Sequence, residues 1–499
     1  MTTFECKARN VVQDLDSRKR LLTVLRIACA TVLALGVIPS TVQGALPDSK
    51  NPNIVYIVAD DLGWKDVGFH GSDIKTLNLD KLAETGVRLE QFYAQPMCTP
   101  TRAALLTGRY PLRYGLQTAV IPAGGTYGLP TDEWLLPQAL KDAGYETAII
   151  GKWHLGHSDK KYWPRQRGFD YQYGMLIGEV DYFTHKVEGV VDWYRNNTVV
   201  NETGYTTTLL GNDAVKLINA HDASKPLFLY LAFNAAHTPY QAPQEYLDRY
   251  KSIEDPSRRA YAGSITAMDD QIGRVVAAID QKKLRDNTLI VFMSDNGGTR
   301  NPMFSGAIAD VSKIRIPCDN GPYREGKGTN YEGGTRVVAI ANWPGHVPAG
   351  ITVDEMIHVV DMYPTLASLA GASLDKTKPL DGMNVWDTVS GSKPSPRTEI
   401  VYNVEPFRAA VRQGDWKLVW RVALPESVEL YNIAEDPSEK HNVADQHLDI
   451  VSALQKRAKE LGAEAAKPMF IEMAFKSVLQ QAHLPPALPG EELEFNEEK

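Results

Sequence analysis

The chain has 499 residues, a formal charge of −8, 43% apolar and 23% charged residues, ordinary globular values that exclude a disordered chain, a collagen-like fibre and a multi-span membrane protein. The acidic balance argues against nucleic acid as a main partner, because phosphate contacts need a basic surface. The only cysteines, Cys6, Cys29, Cys98 and Cys318, exclude a disulfide-stapled scaffold and a four-cysteine zinc site built from close pairs.

At the N-terminus, Ser17-Arg18-Lys19-Arg20 precedes an apolar stretch broken by Arg26. The uninterrupted part, residues 27–38, is too short to cross about 30 Å of hydrocarbon comfortably. Val42 and Gly44 supply small residues at the −3 and −1 positions of a cleavage site before Ala45. Residues 1–44 therefore read as an export signal, with a buried helix or an N-terminal anchor as the other reading. After cleavage the exported chain would keep Cys98 and Cys318 and no stable membrane span.

The run Asn53–Ala59 is apolar and rich in β-branched residues, as a strand buried on both faces reads. It ends in Asp60-Asp61. Adjacent carboxylates repel unless something positive sits between them, and a divalent cation is the simplest partner. Taken alone, the pair also reads as surface or helix-capping aspartates. A helical pattern follows over 79–84, then Met97-Cys98-Thr99-Pro100-Thr101-Arg102. Pro100 fits the first turn of a helix. Cys98 then lies just before that helix, where free N–H groups favour negative charge, with Arg102 over the same end. A buried cysteine beside a helix cap and a plain reactive thiol are both open readings.

A helix over 135–143 precedes a strand over 146–150 and Gly151-Lys152-Trp153-His154-Leu155-Gly156. Lys152 and His154 are two apart, so an extended segment points both the same way. A cation and an imidazole aimed together suit an anionic substrate and its proton transfers. Glu179, Asp181, Tyr182, His185 and Trp193 are candidates for a pocket rim, or ordinary loop and packing residues. After a helix over 209–220, the strand 226–233 runs into Asn234 and His237. By itself, His237 reads as a satisfied structural histidine. The long helix 258–281 leads to a strand over 287–294 and Asp295-Asn296-Gly297-Gly298, again oxygen ligands at a strand end before glycines that let the backbone turn. Lys327 lies in a glycine-rich loop before a strand over 336–342. Strands alternating with helices predict α/β architecture, a large, mixed, mostly parallel sheet sandwiched by helices. Ligands bind beyond the carboxyl ends of such strands.

The pattern changes after about residue 395, beyond the linker-like Gly391-Ser392-Lys393-Pro394-Ser395-Pro396. Short strands over 399–403, 409–413, 417–421 and 429–432, then a helix over 448–461, predict a small antiparallel sheet with one helix. The expected organisation is a signal over 1–44, a catalytic domain over 45–395, a C-terminal subdomain over 396–485 and an acidic tail over 486–499.

Cys98-Thr99-Pro100-Thr101-Arg102, with Leu106-Thr107-Gly108-Arg109 following, resembles the signature of the type I, formylglycine-dependent sulfatases, although serine is commoner than threonine at position 101. The stretch from Glu429 to Glu439 is similar to that family's C-terminal signature. The Lys152/His154 segment, Arg167-Gly168-Phe169-Asp170 and Asp181-Tyr182-Phe183-Thr184-His185 resemble the arylsulfatase B (N-acetylgalactosamine-4-sulfatase) type most. The likeness implies an alkaline-phosphatase-like fold and conversion of Cys98 to Cα-formylglycine by a formylglycine-generating enzyme. It also implies calcium-dependent hydrolysis of sulfate monoesters, as exo-removal of sulfate from a carbohydrate or as cleavage of an aryl sulfate.

By the same resemblance, Asp60, Asp61, Asp295 and Asn296 would bind calcium together with an oxygen of modified Cys98. One hydroxyl of hydrated formylglycine, assisted by Asp295, would attack sulfur. His237 and Lys327 would contact the sulfate and protonate the leaving oxygen. His154 would take the proton of the second hydroxyl, so that sulfate is expelled. Arg102 would hold formylglycine, and Lys152 would bridge it to sulfate. Two other functions share most of these residues: a phosphate or phosphonate ester hydrolase of the same superfamily, and a sulfated-glycan-binding protein in which Cys98 is never converted.

Overall fold

Every residue of the strand Asn53–Ala59 is buried, because it lies in the middle of a ten-stranded sheet with helices on both faces. The computed structural model describes residues 51–300, 316–423 and 425–481. The expected signal segment 1–44, with Cys6 and Cys29, and the expected tail 486–499 lie outside the described residues. Asn53–Ala59 pairs in parallel with Leu227–Ala232 on one side and with Thr288–Ser294 on the other. Leu227–Ala232 then pairs in parallel with Glu146–Gly151, and that strand with Tyr171–Gly174. These five parallel strands carry the runs read as doubly buried, Tyr171–Gly174 excepted.

Side chains alternate across the sheet, as the strand period demands. Ile54, Tyr56 and Val58 face a core shared with the helix Cys98–Thr107. Val55, Ile57 and Ala59 face the helices Thr206–Ala220 and Pro256–Gln281. The second of those helices starts on Asp255, whose side chain accepts from the Ser257 N–H, with proline at the first helical position.

The expected strand over 336–342 differs in extent and direction. It begins only at Ala339 and runs antiparallel to Thr288–Ser294. Arg336 is diverted into a bridge with Tyr93 and donates from Nε to the Glu90 carbonyl at 2.7 Å.

Near the C-terminus, Glu399–Val404, Arg408–Gln413, Trp416–Arg421 and Ser427–Asn432 form the expected four-stranded antiparallel sheet. The helix Leu448–Ala463 covers it through Val451, Leu454 and Leu461. A second helix, Met469–Gln481, was not expected; its start is tied down where the Met469 N–H donates to the Gly115 carbonyl at 3.0 Å. The small sheet joins the large one through a buried ion cluster. Lys417 lies 2.9 Å from Glu332 and 2.8 Å from Glu439, all three essentially without exposure.

Candidate active site

Four neighbouring strands end at one place. Asn53–Ala59 delivers Asp60 and Asp61, and Thr288–Ser294 delivers Asp295 and Asn296. Leu227–Ala232 leads to His237, and Glu146–Gly151 leads to Lys152 and His154. Backbone bonds lock these ends together: the Asp295 N–H donates to Ala59 at 3.0 Å, and the Ala236 N–H to Asp60 at 2.7 Å. Asp61 takes a left-handed φ of 59°, a conformation that aspartate tolerates better than most residues.

Three carboxylates meet three permanent cations. Lys152 Nζ is 2.5 Å from Asp60 Oδ2, and Lys327 Nζ is 2.9 Å from the Asp61 carboxylate. Arg102 donates from Nε and Nη2 to Asp295 Oδ2 at 3.1 and 2.7 Å. His237 Nε2 lies 3.7 Å from Asp61 Oδ2. Burial opposes ionisation of Asp60, but Lys152, His237 and Arg102 outweigh it and hold the carboxyl below its usual range. Burial likewise opposes ionisation of Asp61, and Lys327 and His237 outweigh it. The Lys327 ammonium is held well above its usual range: burial disfavours it, and Asp61 more than compensates.

Cys98 is the first residue of its helix rather than the residue before it. Its Sγ donates to Asp60 Oδ1 at 3.4 Å, and it is 1% exposed. Burial, and then Asp295, push the thiol far above its ordinary range. It is therefore a neutral thiol, which disfavours the reactive-thiolate reading. Threonine at position 101 serves as serine would: its hydroxyl accepts from the Gln95 N–H and donates to the Gln95 carbonyl, both at 3.0 Å. Arg102, one turn on, grips Asp295 and the Lys152 carbonyl.

His154 sits at a left-handed φ of 58°. Its Nε2 faces the Ile121 carbonyl at 3.0 Å. A carbonyl only accepts, so Nε2 carries the proton and Nδ1 the lone pair. Nδ1 is buried and has no protein partner. Burial, then Lys152 and Arg102, hold the ring well below its usual pKa, hence neutral. Thr99 fixes this geometry by donating to the His154 carbonyl at 3.0 Å and accepting from the Ile121 N–H at 3.2 Å. Gly178 lies flat on the ring; a Cβ there would sit 2.3 Å from His154 Cε1.

Asp192 holds the backbone leading to Gly178. Its Oδ2 accepts from the N–H groups of Leu176 and Ile177 at 3.0 and 2.7 Å. Burial pushes this carboxyl up to about 7, the two donors opposing. A carboxyl raised in the folded state stabilises most when protonated. Its contribution is complete below about pH 4 and is lost as pH rises through about 7. Asp192→Asn, which mimics the protonated acid, is expected to flatten the pH dependence of Tm between about pH 4 and 7. The two proteins should diverge by on the order of 2–4 kcal/mol across that window. Parallel melting profiles would exclude it.

Among the described residues, ligand atoms of Asp60, Asp61, Cys98 and His237 lie within 4.8 Å of one another. Asn296 donates from Nδ2 to Asp61 Oδ1 at 2.7 Å, while its buried Oδ1 has no protein partner. Carboxylates plus an orphaned amide oxygen fit a hard divalent cation such as calcium. The charge balance agrees: three carboxylates and three cations leave the cluster near neutral, and a divalent cation would give it the surplus that an anionic substrate needs.

Three of the candidate rim residues are packing residues instead. Trp193 and Tyr182 are buried, and the Tyr182 hydroxyl lies within hydrogen-bonding distance of the carbonyls of Asn234 and His237, at 2.7 and 2.8 Å. His185 is buried and stacks on Trp193 at 4.7 Å. Asp181 staples its own loop by accepting from the N–H groups of Phe183 and Thr184. Sequence reasoning missed Thr99, Ile121, Gly178 and Asp192. Only Thr99, inside the cysteine motif, carried a signal.

The chain matches the sulfatase family over residues 52–372 and the N-sulphoglucosamine sulphohydrolase C-terminal family over residues 326–464. It is 39% identical over 391 residues to arylsulfatase J of Mus musculus, covering 76% of this chain and 63% of that protein; it thus spans less than two thirds of that relative's length. It is 33% identical to N-acetylgalactosamine-6-sulfatase of Homo sapiens, covering 74% of this chain and 71% of that one. With a 6-sulfatase among its relatives, the likeness defines a family and not a sulfate position. The crystal structure of Ps i-CgsB in complex with k-i-k-neocarrahexaose superposes with a TM-score of 0.78 at 34% identity, covering 88% of this chain and 98% of that one. The cysteine motif, the carboxylate and cation cluster at the strand ends and the match over most of the chain agree: this chain belongs to the sulfatase family.

Proposed function

We propose that this chain is a sulfuric ester hydrolase that removes sulfate from a sulfated carbohydrate and also cleaves aryl sulfates. The observation that carries the reading is the meeting of Cys98, inside its Cys-x-Pro-x-Arg motif, with Asp60, Asp61 and Asp295 and the cations Lys152 and Lys327. The oligosaccharide in the Ps i-CgsB complex and the N-acetylgalactosamine-6-sulfatase relatives favour a carbohydrate substrate. Export through the 1–44 signal and maturation by a formylglycine-generating enzyme belong to the same reading.

Asp60, Asp61, Asp295 and Asn296 would hold calcium. Calcium would polarise the sulfate oxygens, and Cα-formylglycine at position 98, hydrated to its gem-diol, would supply a hydroxyl nucleophile in place of the inert thiol. Lys152 and Lys327 would spread the charge on the sulfate, each already oriented by a carboxylate. His237 and Lys327, the more open side of the cluster at 12% and 17% side-chain exposure, would give the leaving oxygen its proton. Asp295 would assist the attacking hydroxyl, and His154 Nδ1, with its free lone pair, would take the proton of the second hydroxyl so that sulfate is expelled. Arg102 holds the Asp295 carboxylate and would also hold formylglycine at position 98.

The test starts from protein of the native host. The tryptic peptide 89–102 should be about 18 Da lighter than its thiol form. Purified, converted enzyme should release sulfate from 4-nitrophenyl sulfate faster than phosphate from 4-nitrophenyl phosphate. Faster phosphate release would favour the phosphate or phosphonate ester hydrolase. A peptide found only as the thiol would favour the glycan-binding protein.

A further inference from the structure

The C-terminal signature from Glu429 to Glu439 is not explained by the catalytic cluster, yet it touches the loop that carries Lys327. That loop runs from Asn320 to Tyr331. Inside it, the Lys327 N–H donates to Gly298 at 3.1 Å and the Gly328 N–H to Pro96 at 2.7 Å. Gly326 packs so closely that a Cβ would sit 2.3 Å from the Gly298 oxygen. A further restraint comes from the small sheet. Glu429 accepts from Arg324 Nη1 at 3.1 Å and from the Tyr331 hydroxyl at 3.0 Å. Arg324 and Tyr331 flank Lys327, and the Arg324 guanidinium lies 4.0 Å over the Tyr331 ring. Arg324 also donates to the Tyr431 hydroxyl at 2.8 Å and the Glu439 carbonyl at 3.3 Å. Just beyond the loop, the Glu332 N–H donates to Glu439 Oε2 at 2.7 Å.

We propose that Glu429 is a positioning residue for Lys327: its carboxylate grips Arg324 and Tyr331 on either side of the lysine and thereby fixes the ammonium against Asp61. The small sheet is then a working part of the active site. A lysine has four rotatable bonds, and a cation is effective in the transition state only if its backbone is already held. Two of the contacts that hold the loop, the guanidinium and the phenol, end on the same carboxylate. This inference rests on the sulfate-ester reading of the site.

The test is a double-mutant cycle on converted enzyme with 4-nitrophenyl sulfate as substrate. Glu429→Gln is expected to lower kcat/KM by about 10- to 100-fold, the cost of a misplaced catalytic group. In a Lys327→Ala background, the same change should cost less than about twofold, because the group it positions is gone. Hydrogen exchange should quicken at residues 320–331 and stay unchanged in the helix Leu448–Ala463. A Glu429→Gln penalty equal in both backgrounds would overturn the inference and leave Glu429 a purely structural residue. Should Glu429→Gln not fold, Tyr331→Phe, which removes one hydroxyl, takes its place in the same cycle. A wild-type enzyme with no sulfate release would instead sink the sulfate-ester reading.

Discussion

Cys98→Ala is expected to abolish sulfate ester hydrolysis, lowering kcat by at least about 10⁴-fold, the scale seen when a covalent nucleophile is removed. The fold should survive. Cys98 opens a helix, alanine is the best helix former, and the deleted sulfur makes one long hydrogen bond at 3.4 Å to Asp60. The same argument covers the unconverted wild type. Its thiol is held protonated by burial and Asp295, so raising the pH to 9 should not awaken it as a thiolate. Initial rates on an aryl sulfate, with melting curves on the same samples, check both statements. An alanine variant keeping a tenth of the activity would move the nucleophile elsewhere.

Calcium removal is expected to be nearly as costly. Asp60, Asp61 and Asp295 put three carboxylates in one buried cluster, with the Asn296 Oδ1 beside them lacking a protein partner. A cation bound there stabilises the folded state by mass action, about 2.7 kcal/mol at a concentration 100 times its Kd. Chelation should therefore lower Tm and remove activity, and calcium should restore both. Asp61→Asn keeps the volume and deletes one charge. Calcium affinity depends on the charge count of the ligands, so the half-saturating calcium concentration should rise by at least about 10-fold and kcat/KM at fixed calcium should fall about 100-fold. The loss has a second source, because Lys327 is held by the same carboxylate. Identical calcium titrations of the two proteins would remove Asp61 from the metal site.

Much of this site was legible because strands buried on both faces leave an unmistakable apolar run, and the polar residues just past such a run fall at a carboxyl edge. That logic found Asp60, Asp61, Lys152, His154, His237, Asp295 and Asn296 at strand ends and the mostly parallel sheet around them. It failed where a strand is too short to leave a run. Val87–Leu89 and Ile351–Val353 have three residues each and were not foreseen. It also failed where a residue acts through its backbone: Gly178 matters because it has no side chain, and Ile121 because of its carbonyl. Tyr182, His185 and Trp193 were polar-edged aromatics near the right segment. Burial, which no spacing announces, made them packing residues. The proposed formylglycine rests on family resemblance alone, since nothing in the charge or spacing around Cys98 distinguishes a future aldehyde from a quiet thiol.

The 1% exposure of Cys98 would impose a schedule on its proposed conversion. Once the helix Cys98–Thr107 has docked, every one of its ten residues is buried, and a modifying enzyme has no route to the sulfur. On the proposed reading, conversion would therefore belong to the interval between synthesis and folding, while the segment is still an extended peptide. The yield of active protein would then be the outcome of a race, because chains that fold first would be sealed with the thiol in place.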